Sequence, residues 1–289
     1  MGDDPAVRTG RAQVRLMVIV SAIALAGMVV VWRKMQPRPP ADACDAAAAW
    51  HEVTQMRIDE ARRAFEARAG SGDRQARLGM AMTLLSTQPL TTGNIDRAAS
   101  LLEALRKQDA DDATGIEATF ALARVEQLHR FTPNPAGAQR LYGELAARHP
   151  EHPLGQMAIV KSAMLRLFAP ATREQRLAIL DEVSRACPRM TDPDAHRDLH
   201  LTLAGAAVLL GISDDKALEH LLEADRVGLA RRKTAGDVYV RIGELARRLG
   251  RHDLARTYYT RFADEFPRDQ RAHMARELAN QLPTTRRSP

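Results

Sequence analysis

Two histidines four residues apart are the first place in this chain where chemistry could sit. In His196-Arg197-Asp198-Leu199-His200, the i, i+4 spacing puts both imidazoles on one face of a helix. There they could ligate one divalent ion, as the histidines of an H-E-x-x-H hydrolase do. Arginine stands where that motif carries its glutamate base, and no third ligand is evident in the sequence. The stretch therefore reads as a solvated turn with two surface histidines, and a metal-dependent enzyme using His196 and His200 is the alternative. His149-x2-His152 flanks Pro150 and Pro153 and reads as a loop. Cys44 and Cys187 are the only cysteines, with no C-x-x-C between them, so a four-cysteine zinc site, a redox pair and haem attachment are unsupported. The chain also lacks G-x-x-x-x-G-K-[ST], G-x-G-x-x-G and G-x-S-x-G, which removes the usual grounds for nucleotide binding or serine hydrolysis. No enzymatic activity, metal or cofactor is expected.

Charge gives little more. The net charge is +6, and residues 33–289 keep +5 of it. Acids are interspersed throughout and aromatics are few, so no basic stripe marks a nucleic-acid partner. The pairs Arg231-Arg232, Arg247-Arg248 and Arg286-Arg287 read as solvated faces.

What must position any site is a repeat. Ala61, Ala98, Ala138, Arg176, Ala217 and Ala255 recur at a mean step of about 39 residues. Four residues after each comes Phe65, Leu102, Tyr142, Leu180, Leu221 or Tyr259. Seven after come Arg68, Leu105, Leu145, Val183, Ala224 and Phe262. An i, i+4, i+7 stripe is one face of a helix. Pro150, Pro188 and Pro267 each lie twelve residues after their marker, where a helix would stop. The clearest unit reads Tyr239-x2-Ile242-Gly243-x2-Ala246, Gly250, Ala255-x3-Tyr259, Phe262 and Pro267. Leu78-Gly79-x2-Met82 and Ala204-Gly205-x2-Val208 copy its first half. Twelve paired helices are expected, with a polar terminal helix near 269–281 and no strand. Asp96, Glu174, Asp214 and Asp253 are expected in first turns.

The last unit resembles the tetratricopeptide repeat, W-x2-L-G-x2-Y followed by A-x3-F and a closing proline, with Tyr for Trp and Ala for Tyr. The resemblance extends in register over residues 46–282, although a HEAT-like array has a similar step. It implies an all-α, right-handed α-solenoid of about six hairpins, whose first helices line a concave face that binds a protein or peptide. On that face the last unit would present Asp237, Arg241, Glu244 and Arg248, and the fourth would present Lys161 and Leu165. The neighbouring first helix would offer Leu199, Thr202, Leu203 and Ala206. That surface is too apolar for the two-carboxylate clamp of some family members.

The first 45 residues are of another kind. Residues 1–15 read as a tail and 16–34 as a transmembrane anchor, since Leu16–Trp32 is uncharged and roughly 25 Å long as a helix; a signal peptide cleaved at Ala41-Asp42-Ala43 is the rival reading. Ala22 and Ala26 form a small-xxx-small pair that would allow an anchor-mediated homodimer. Residues 35–45, with Pro37-Arg38-Pro39-Pro40, read as a stiff linker and 283–289 as a disordered tail. Three basic residues lie on each side of the span, so the positive-inside count is a tie. The expectation is a bacterial inner-membrane protein with a periplasmic solenoid. One anchor followed by repeats is similar at fold level to translocon-associated and cytochrome c maturation proteins.

Overall fold

The computed structural model describes residues 44–70 and 72–283. The expected tail 1–15, the anchor 16–34 with Ala22 and Ala26, residues 35–43 of the linker, and residues 284–289 lie outside them. Among the described residues no helix is long and apolar enough to cross a membrane.

Thirteen α-helices and no strand make up the described chain. As the repeat predicts, α1 (Cys44–Thr54) pairs with α2 (Ile58–Ala69) and α3 (Arg74–Ser86) with α4 (Thr92–Gln108), while α5 (Ala113–Arg124) and α6 (Pro135–Arg148) come next in the chain. These are followed by α7 (Pro153–Phe168) with α8 (Arg173–Ser184), α9 (Pro193–Leu209) with α10 (Asp214–Val227), α11 (Arg232–Arg248) with α12 (His252–Glu265), and a terminal α13 (Ala272–Gln281). A π-helical turn, Val125–His129, prolongs α5, and a 3₁₀ turn, Cys187–Arg189, follows α8. The helices form two compact units that divide at Ala138, within α6.

The stripe that marks the second helices is buried, because those helices are amphipathic and turn one face inward. Phe65, Leu102, Tyr142, Leu180 and Tyr259 are all almost fully enclosed. In the first unit, Trp50 of α1 meets Phe65 of α2 edge to face, with centroids 5.0 Å apart. In the second, one continuous core runs from Val160 of α7 through Leu203, Ile242 and Phe262 to Ala279 of α13.

Short polar side chains start the helices by accepting orphan backbone N–H groups. Asp73, Thr91, Asp112, Asp192 and Ser213 cap α3, α4, α5, α9 and α10, and Thr172 with Gln175 forms a capping box on α8. Gly250 ends α11 at φ 72°, a left-handed conformation that a Cβ disfavours.

Four expectations need correction. Cys44 and Asp45, assigned to the linker 35–45, are already helical, because four consecutive alanines (46–49) follow them and alanine is the best helix former. The terminal helix starts at Ala272 rather than 269, because Asp269 instead accepts from the Arg271 backbone N–H at 2.9 Å in a turn. Asp96 is in the second turn of α4, not the first, since Thr91 is the cap; it pairs with Arg130 at 3.1 Å. Finally, Gly79 is not the counterpart of Gly243. A Cβ on Gly243 would lie 2.6 Å from the ring of Tyr259 in its own hairpin, whereas one on Gly79 would lie 2.4 Å from Phe65 in the preceding hairpin.

Candidate functional site

The first helices of the second unit place the six expected binding residues as follows. Asp237, Arg241 and Arg248 of α11 are exposed and Glu244 half-buried; Lys161 and Leu165 of α7 are half-buried. Most of the charges hold one another. Asp237 accepts from Arg271 at 2.8 Å, and Arg248 donates to Asp214 at 2.9 Å, which ties α11 to the start of α10. Among the described residues Arg241 is held by a 3.7 Å ion pair with Glu244, one turn along the same helix. It is the loosest-held cation of the four-residue set.

On α9 three of the four residues expected at the surface lie inside instead, and only Thr202 is on the open side. Leu199, Leu203 and Ala206 are fully buried and belong to the core rather than to a binding surface. An α9 packed on both α7 and α10 buries residues from two sides, so its apolar stripe is too broad to show which side stays open. The open side carries Asp194, Arg197, Asp198 and Thr202. Arg197 donates to Asp194 at 2.8 Å and to Asp198 at 3.2 Å. Burial raises the Asp198 carboxyl above the usual range, against the opposing pull of Arg197 and of Lys161 across on α7. The first-helix face is thus polar and mixed in sign.

His196 and His200 do not sit on a solvated turn. Both lie within α9, His196 half-buried and His200 buried. The Nε2 atoms of the two are 3.2 Å apart. His200 Nδ1 is 2.9 Å from Nδ1 of His220, a buried histidine of α10 that sequence reading missed. His220 Nε2 in turn is 3.0 Å from the Ser184 hydroxyl at the end of α8. Because His200 uses opposite nitrogens toward its two neighbours, the rings form a line rather than a cage. Among the described residues no three His, Cys, Asp or Glu side chains are grouped to hold a metal ion. Cys187 is buried in the apolar core of the second unit, and burial pushes its thiol up to about 11, which keeps it protonated and unreactive at neutral pH.

The last hairpin adds an aromatic cluster. The Arg261 guanidinium lies 4.1 Å over the Tyr239 ring and donates to Asp225 at 2.7 Å, and the Tyr258 hydroxyl donates to the same carboxylate at 2.8 Å. Beside it, an open concavity of about 420 Å³ is lined by Leu229, Arg232, Ala235, Tyr239, Glu265 and Phe266.

Residues 237–269, the core of this hairpin, match a model of the tetratricopeptide repeat. No curated protein matches the chain. Among solved structures, the chain is similar to a thermophilic tetratricopeptide repeat protein of Thermus thermophilus. The identity is 24%, with a TM-score of 0.39, over 73% of this chain and 100% of that one. It is also similar to a tetratricopeptide repeat protein of Parabacteroides merdae, at 13% identity and a TM-score of 0.46, over 95% and 97% of the two chains. The matched hairpin and the helical pairing together support a helical-repeat protein of the tetratricopeptide kind.

Proposed function

We propose that this chain is a scaffold that binds a protein or peptide on the open face of its first helices and contributes to assembly of an envelope complex. In this reading residues 16–34 anchor it in a bacterial inner membrane, with the helical array on the periplasmic side. Ala22 and Ala26 allow two anchors to pair. The observation that carries the binding reading is Arg241. It is exposed on a first helix and loosely paired, within a face of alternating charge that can exchange intramolecular ion pairs for ones with a partner. The metal-dependent enzyme reading has no support in the histidine geometry, whose nitrogens face one another pairwise.

Cross-linking in alkali-washed membranes, followed by mass spectrometry, tests the proposal. The full-length chain should remain in the washed membranes and bring down the same few proteins reproducibly. Arg241→Glu should reduce that recovery severalfold without loss of helicity. Arg248→Glu is the less clean variant, because it also breaks the tie to Asp214. Reversal of Arg286 and Arg287 serves as the control. Equal effects at Arg241 and at the control pair would place binding elsewhere, and loss of the chain on washing would remove the anchor.

A further inference from the structure

The line His196–His200–His220–Ser184 joins three helices, and the heavy-atom distances fix where its protons must be. The Ser184 hydroxyl donates its single proton to the Leu180 carbonyl at 2.7 Å. Its 3.0 Å contact with His220 must therefore be an N–H of His220 Nε2 donating to Oγ. Neutral His220 then has a bare Nδ1, which accepts from Nδ1–H of His200 across 2.9 Å. This leaves His200 Nε2 bare, to accept from Nε2–H of His196 across 3.2 Å. Hydrogens assigned in this way give one unbroken neutral chain, running from half-buried His196 into the interior.

Each nitrogen–nitrogen contact has room for one proton, and the only unshared nitrogen is His196 Nδ1. One additional proton is therefore accommodated, wherever the charge resides. Placed on His196, it occupies the outer Nδ1. Moved to His200 or His220, it shifts the shared protons along the line and leaves every contact made. A second proton has no such place. It forces an N–H to point at an N–H at 2.9 or 3.2 Å, in the contact between α9 and α10 or in that between His196 and His200. We infer that His196, His200, His220 and Ser184 are a latch joining α8, α9 and α10, which keeps every contact through uptake of one proton and must break one of its nitrogen–nitrogen contacts on uptake of a second.

The surroundings do not offset a second charge. The charged groups that bear on the His200 and His220 rings are Asp181 of α8 and Lys216, Glu223 and Arg226 of α10. Asp181 is already paired with Lys216 at 2.6 Å, and Glu223 with Arg226 at 2.6 Å. Burial lowers His200 to about 4, with His220 and His196 adding to the effect; burial and Lys216 do the same to His220. A histidine whose folded value lies below its unfolded value of about 6.5 stabilises the fold fully above that pH. Its contribution is lost as pH falls from about 6.5 through about 4. Release would loosen α9, which carries Arg197 and Asp198 on the open face.

Two measurements on the full chain test the latch. In hydrogen exchange corrected for intrinsic rates, α9 and α10 should lose protection by about tenfold or more between pH 6 and pH 4, while α11 and α12 change little. His200→Leu combined with His220→Leu should make α9 and α10 insensitive to pH over that range. Replacing both partners by apolar groups of similar size leaves no orphan in the pair, and Ser184 keeps its bond to Leu180. An acid response in that variant equal to the wild-type response would overturn the inference. Should the variant not fold, the second measurement stands alone. Ring ¹⁵N shifts of the unaltered chain at pH 7.5 should show His200 protonated on Nδ1 and His220 on Nε2. His200 protonated on Nε2 at that pH would show the chain to be built otherwise.

Discussion

A single missing methyl group decides how closely the helices approach, and three glycines on first helices separate cause from coincidence. A Cβ on Gly79 would lie 2.4 Å from the Phe65 ring, and one on Gly243 would lie 2.6 Å from Tyr259. Both rings are almost fully enclosed and have nowhere to go. Gly79→Ala and Gly243→Ala should each cost about 1–3 kcal/mol through overpacking. Gly205, in register with Gly243, has no heavy atom within 4 Å of its Cβ position. Gly205→Ala should be neutral or gain about 0.5–1 kcal/mol from helix propensity. Thermal unfolding of the three variants checks the ordering; a large loss at Gly205 would mean that α9 packs more tightly than its glycine indicates. The sequence pattern around Gly79 and Gly205 matched that around Gly243, yet the three play different parts. Two-residue motifs do not record which hairpin supplies the opposing ring. His220 was hidden for a similar reason, since it meets His200 across the α9–α10 connection, twenty residues on.

At the scale of the helix, legibility followed amphipathicity. Second helices bury one stripe, so the recurrence near 39 residues placed all six. First helices such as α9 lie between neighbours, and their apolar residues face more than one side, so most of the open face was misread. One contact that orders successive first helices was likewise invisible, because it is made by a neutral polar residue. Gln156 of α7 is buried, and its amide spans the entry to α9. Its Oε1 accepts from the backbone N–H groups of Thr191 and Asp192 at 3.0 and 2.8 Å, and its Nε2 donates to Thr191 Oγ1 at 2.7 Å. Gln156→Leu keeps the bulk and abandons three polar partners. A loss of about 2–4 kcal/mol is expected, from unsatisfied groups costing ~1–3 kcal/mol each with partial relief by water. Chemical denaturation measures it. A loss below about 0.5 kcal/mol, the size of a surface substitution, would show that the entry to α9 is held by packing alone.

Across the whole molecule, many of the side-chain ties between hairpins are separated by about one repeat. Within the first unit Arg74 reaches Asp112 and Arg130 reaches Asp96; within the second Arg251 reaches Asp215 and Arg271 reaches Asp237. Exposed pairs of this kind contribute only ~0–1 kcal/mol each, so they set register more than they supply stability. Stability comes from apolar faces that each hairpin cannot bury alone. The terminal helix makes this testable. α13 packs Ala272, Ala275 and Ala279 into the core of the last hairpin, and Arg276 donates to the Ala263 carbonyl of α12 at 2.9 Å. Truncation after Gln270 uncovers Phe262 and Ala263 and removes the carbonyls of Leu282 and Pro283 that Arg256 holds at 2.8 and 2.9 Å. With coupling limited to neighbouring hairpins, amide protection should fall most in α12, less in α11, and hardly at all in α7 and α8. Salt at 0.5 M should leave that gradient in place, since screening touches the ion pairs and not the exposed core. Uniform loss of protection from α7 to α12 would instead mean that the second unit folds as one cooperative block, in which the terminal helix supports every hairpin equally.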